Sequence, residues 1–181
     1  MFKSGVGILA LFGLGWWLLG TSGFAGPVRL AAVVVGCLVT VGLLLIARHR
    51  FLGGTQVDPL ADPGRRRRFN QINALQWLVI VAVVAACAST GAQGLIPSLV
   101  AVTVGLHFFP LAATFEQPRL KLPGALLVAV GAAGAVIGWA GGSDAFVREV
   151  VGGGAALSLW ATATWTIVSM TAADSHVSAS S

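Results

Sequence analysis

VRLAAVVVGCLVTVGLLLIA, residues 28–47, runs directly into RHRFLGGTQVDPLADPGRRRR, residues 48–68. The first stretch is almost continuously apolar. At 1.5 Å per residue a helix of its length crosses a bilayer core about 30 Å thick, and helical pairing is the way a lipid-exposed segment satisfies its own backbone. The second stretch carries Arg48, Arg50 and Arg65 to Arg68 around the two turn signals Asp58-Pro59 and Asp62-Pro63-Gly64. Moving such a connection across a membrane is costly, so it is expected to stay in the cytoplasm.

Working outward from this pair, the apolar runs predict six transmembrane helices at about 6–20, 28–47, 69–90, 95–114, 124–141 and 146–170. The fold class is therefore all-α, a polytopic membrane protein built as three successive hairpins. Alternation from the 48–68 connection puts both termini inside, in agreement with Lys3, and puts Arg119 and Lys121 of the fourth connection inside as well. Arg29 and Arg148 are the outer minority, each at a helix start where a long side chain can snorkel to the headgroups. The domain organisation is a single transmembrane unit over 1–171, and the Ser/Ala-rich residues 172–181 are expected to be a disordered tail.

Composition supports the same class. Of 181 residues, 56% are hydrophobic and only 9% charged, with a mean hydropathy of +0.88. So little polar surface cannot cover a water-soluble globule, so lipid is the expected solvent and partner. The net charge of +5 sits in the connections, where it sets orientation, and no nucleic acid is expected as a partner. Cys37 and Cys87 lie in separate apolar runs with no metal-binding or redox spacing. Arginine outnumbers lysine nine to two in a chain rich in Ala, Gly and Val, a composition that suits a GC-rich bacterial genome and a place in the bacterial inner membrane. Lys3 and the small residues near Ala25 would also fit a cleaved signal peptide. The bulky pair Trp16-Trp17 instead reads as an interfacial belt on a retained first helix.

Ionisable groups at membrane depth are nearly absent, and His107 is the exception. An intramembrane ionisable group needs partners or water, which makes it a candidate functional residue. Asn73 and Gln76 follow Phe69 by four and seven residues, and His107 precedes Thr114 by seven. All three are therefore expected in the cytoplasmic third of adjacent helices, with Asn73 and Gln76 on one face and Asn70 and Gln71 nearer the mouth. As a functional constellation, His107, Asn73, Gln76 and Asn70 would line a small polar pocket open to the cytoplasm. As a structural one, the same residues fasten helix to helix. Pro110 lies three residues after His107 and either ends the helix or frees the Leu106 carbonyl.

The strings Gly105-Leu106-His107-Phe108-Phe109-Pro110-Leu111-Ala112 and Phe69-Asn70-Gln71-Ile72-Asn73-Ala74-Leu75-Gln76-Trp77 resemble a pattern in uncharacterised small bacterial multi-pass membrane proteins. The resemblance covers the third and fourth helices and implies a shared scaffold around His107, with no activity attached.

Gly131, Gly134 and Gly138 form a close-approach face on the fifth helix, suited to packing within the bundle or to a homo-oligomer. Hydroxyls on the sixth helix, Ser158 to Ser169, are expected to bond back to their own turn. Paired carboxylates, nucleophile elbows, HExxH and phosphate loops are missing, and His49 is at the wrong depth to join His107 on a haem. No cofactor, metal or catalytic residue is assigned. The leading expectation is small-solute binding or transport through the pocket. The alternative is a noncatalytic scaffold or interaction protein whose residues Arg65, Arg66, Arg67 and Arg68 contact anionic lipid headgroups or an acidic partner.

Overall fold

The computed structural model describes residues 2–51 and 61–178, with side-chain surroundings given over 5–49 and 61–169. All regular structure among these residues is helical. Six helices are long and apolar enough to cross a membrane. They are α1 (Phe2–Gly20), α2 (Gly26–Phe51), α3 (Pro63–Thr90), α4 (Ile96–Thr114), α5 (Lys121–Trp139) and α6 (Asp144–Ser178).

Two boundaries differ from the sequence expectation for physical reasons. α3 starts at Pro63 rather than near 69, because Asp62 caps it: its carboxylate accepts from Gly64 N at 3.2 Å and Arg65 N at 3.1 Å, with Pro63 in the first turn. Arg65 to Arg68 thus form the opening of a helix and not part of a loop. α6 continues to Ser178, over part of the tail expected to be disordered. Residues 52–60 of the arginine-rich connection lie outside the described residues.

Each sequential pair α1/α2, α3/α4 and α5/α6 packs together, yet the most extensive seams join different hairpins, α1 to α6 and α4 to α5. The helices run α2, α1, α6, α5, α4, α3 in space, with α6 as the hub that also reaches α2 and α4. α6 presents two adjacent ridges at four-residue spacing, Val147, Val151, Ala155, Leu159 and Ala163 in one and Gly152, Ala156 and Trp160 in the other. Half of its span is buried. α3 sits at the end of the row, with only 6% of its span buried, and among the described residues α4 is the one spanning helix it packs against.

Glycine decides how closely the seams approach. A Cβ on Gly105 of α4 would lie 2.7 Å from the Gly124 carbonyl oxygen of α5, and one on Gly131 would lie 2.6 Å from the Ser98 carbonyl oxygen. Gly20 and Gly152 make the same backbone-to-backbone approach between α1 and α6, where a Cβ on Gly20 would meet Gly153 N at 2.8 Å. Small residues are what let apolar helices gain close dispersion contacts where lipid removes the hydrophobic drive between them. Gly131, Gly134 and Gly138 therefore face α4 and α6 of their own chain.

The Trp16-Trp17 pair packs into the bundle. Trp16 is 8% exposed, and Trp17 donates its indole N–H to the Ala32 carbonyl of α2 at 2.7 Å. With Val6, Leu9 and Ala10 also in the core, α1 is an integral wall of the bundle.

Candidate functional site

The α3/α4 seam holds the residues that the sequence singles out. Facing α4, α3 carries a half-buried stripe of Phe69, Ile72, Asn73, Gln76 and Ile80 that ends at the buried Cys87, the three-to-four-residue spacing of one helical face. Phe69 meets Phe115 at the arginine end, with ring centroids 5.7 Å apart. His107, half-buried on α4, lies against the backbone of Ile72, the residue before Asn73. Its Nδ1 is buried and has no hydrogen-bond partner. No hydrogen bond links His107 to Asn73 or Gln76 among the described residues.

α4 passes through Pro110 and ends at Thr114, so the proline neither ends the helix nor closes the bond to Leu106. The helix stops instead where Glu116 adopts a left-handed φ of 55° and Gln117 N–H bonds to the Ala112 carbonyl at 2.8 Å. Glu116 is thereby turned toward Arg65, 3.7 Å away. Arg119 in the same connection donates to Ser169 Oγ of α6 at 3.2 Å.

Asn70 is not brought to His107. It is exposed on the side of α3 turned away from α4, in an open groove of about 430 Å³ lined by Pro63, Arg66, Arg67, Asn70, Gln71 and Ala74. A second open groove, of about 310 Å³, lies between the start of α3 and the end of α4 and is lined by Asp62, Arg65, Arg68, Thr114 and Glu116 among others. Neither groove includes His107, Asn73 or Gln76. The four arginines are thus divided, Arg65 and Arg68 beside two carboxylates and Arg66 and Arg67 beside two neutral amides.

Helix alternation gathers nine of the eleven Lys and Arg residues at one end of the bundle: Lys3, Arg48, Arg50, Arg65 to Arg68, Arg119 and Lys121. At the other end Arg29 and Arg148 are matched by Asp144 and Glu149. Cys37 and Cys87 are free thiols, and no group of three metal-ligating side chains gathers among the described residues. The hydroxyls of α6 bond back to their own turn as expected, from Ser158 to Gly154 O at 2.7 Å through Ser169 to Trp165 O at 2.9 Å.

Sequence reasoning missed the two indole ties that bind α1 to its neighbours, Trp17 to Ala32 and Trp160 to Ala10. It also missed the helical start at Asp62-Pro63, although an N-capping residue followed by proline was a readable signal. Compared with known proteins, the chain matches no family model, no curated protein and no solved structure.

Proposed function

We propose that the protein is a noncatalytic multi-pass scaffold of the bacterial cell membrane, with both termini in the cytoplasm and α3 mounted on its side as an interaction element. The contact of His107 with the backbone of Ile72 across the α3/α4 seam carries this reading. It sets a mid-span ionisable group against α3, the helix that buries the smallest share of its span. The segregation of basic residues to one end supports the inside assignment of the arginine-bearing end, and the bacterial setting rests on the resemblance around His107.

Replacing His107 by Ala tests the fastening role. A fastener loses yield and thermal stability while the profile of co-purifying small molecules stays the same. Orientation is tested in a background lacking Cys37 and Cys87. An impermeant maleimide should label Ser22→Cys, and not Ala61→Cys, in intact cells; labelling of Ala61→Cys from outside reverses the assignment.

One atom favours a second reading, small-solute binding or transport through a cytoplasm-facing pocket of His107, Asn73 and Gln76. The Nδ1 of His107 is a buried polar atom with no partner, the kind of group that a ligand or an ordered water satisfies. On this reading His107→Ala folds with full yield and loses a bound molecule.

A further inference from the structure

We infer that the outward face of α3 is a binding site for one anionic glycerophospholipid, held by Arg66 and Arg67 through its phosphate and by Asn70 and Gln71 at the level of its glycerol esters. The inference deepens the scaffold reading and rests on its placement of α3 in lipid.

The argument begins with how charge is divided. Of the two grooves at this end, the inner one pairs Arg65 and Arg68 with Asp62 and Glu116, and Arg65 already reaches Glu116 at 3.7 Å. Its formal charge cancels. The outer groove contains Arg66 and Arg67 and no carboxylate. Among the described residues its two positive charges have only neutral amides for company, which leaves the pair open to an anion. Two guanidinium forks on one helical face match the oxygens of a phosphate, which arginine binds in bidentate fashion.

The order of residues along α3 then selects a lipid. Pro63, Arg66, Arg67, Asn70, Gln71 and Ala74 recur at three- and four-residue spacing along one face. From the arginines to Ala74 the helix rises roughly 10 Å, and the chemistry changes with depth from guanidinium to amide to methyl. Beyond Ala74 the face becomes apolar and stays open, with Leu78 66% and Val81 62% exposed. A glycerophospholipid has the same sequence of groups: a phosphate, ester carbonyls that accept from amide N–H groups, and acyl chains. Ala74 leaves space at the point where headgroup gives way to chain. A zwitterionic choline lipid would bring a cationic ammonium to the arginine pair, so the site selects lipids with net negative charge. Inorganic phosphate would meet the two arginines and leave the amides and the apolar face unused.

The test uses the full chain in nanodiscs of equimolar phosphatidylcholine and phosphatidylglycerol, with native mass spectrometry reading which lipid stays bound. The wild type should retain phosphatidylglycerol at least ~5-fold over phosphatidylcholine, given the attraction of basic residues for anionic lipid. Arg66→Gln with Arg67→Gln should bring the ratio to about one, while Arg65→Gln with Arg68→Gln should leave it high. Arg66→Lys with Arg67→Lys, which keeps charge and fold, should retain part of the preference. Excess inorganic phosphate should not strip the lipid. A wild-type ratio near one, equal losses in the two glutamine pairs, or displacement by phosphate would each overturn the inference. None of these results depends on which side of the membrane the arginines face or on the role of His107, so the scaffold reading stands or falls by its own measurements.

Discussion

The indoles of Trp17 and Trp160 lie 5.5 Å apart, centroid to centroid, and each donates its N–H to the backbone of the next helix in the row. Trp160 of α6 reaches Ala10 O of α1 at 3.2 Å, and Trp17 of α1 reaches Ala32 O of α2 at 2.7 Å. Both acceptors are mid-helix carbonyls that side chains one turn later would cover, since a helical Cβ leans toward the N-terminus. At those places stand Gly13 and Gly36, and a Cβ on either would overlap the incoming indole. Three helices are thus joined by two repeats of one device, an indole seated in a glycine notch.

The notches give the first prediction. Gly13→Val and Gly36→Val should each destabilise the protein by about 1–3 kcal/mol, because an overpacked seam must move its ring or its backbone. Trp160→Phe should cost about 1 kcal/mol, the scale of an interhelical hydrogen bond in a membrane. Thermal unfolding of the purified protein in nanodiscs measures both. Val variants as stable as the wild type would show that the indoles sit elsewhere.

The α4/α5 seam predicts a contrast among glycines. Gly105→Leu and Gly131→Leu should abolish folding or lower the unfolding midpoint sharply, since their Cβ positions fall within 3 Å of the partner backbone. Gly15 and Gly153 have nothing within 4 Å of a Cβ, so Gly15→Ala and Gly153→Ala should stabilise their helices by about 0.5–1 kcal/mol. Equal effects in the two groups would contradict the seam.

Asp62 controls the start of α3. Asp62→Ala removes the acceptor for Gly64 N and Arg65 N and should cost about 1 kcal/mol, confined to the first turns. Hydrogen exchange should quicken at Gly64 and Arg65 and stay unchanged near Ile80. Asp62→Asn should keep most of the protection.

Glu116 separates strain from charge. A non-glycine residue in the left-handed region costs about 1 kcal/mol or more, so Glu116→Gly should raise stability by roughly that amount. The ion pair it gives up is worth little, with Glu116 82% exposed at its side chain. Glu116→Ala keeps the strain and loses the pair, and should be near neutral or slightly worse. A gain with Ala equal to that with Gly would place the cost in the carboxylate and not in the backbone.

The number of spanning helices, their approximate limits and the concentration of arginine at one end were determined by the sequence alone. Each depends on local composition: an apolar run of sufficient length has to pair its own backbone in lipid, wherever its neighbours lie. The back-bonding of the α6 hydroxyls was readable for the same reason. The packing of α3 on α4 was also legible, because a short turn fixes two successive helices antiparallel. Rotation about a helix axis could not be read in that way. Tertiary structure alone turned Asn70 away from His107, made α6 the hub, placed the Trp16-Trp17 pair inside the bundle and split the four arginines between two grooves. Apolar sequence is nearly uniform around these helices, so the facing surfaces are chosen by the fit of glycine notches, indoles and small residues across seams between segments far apart in the chain, and that fit exists only once the helices have packed.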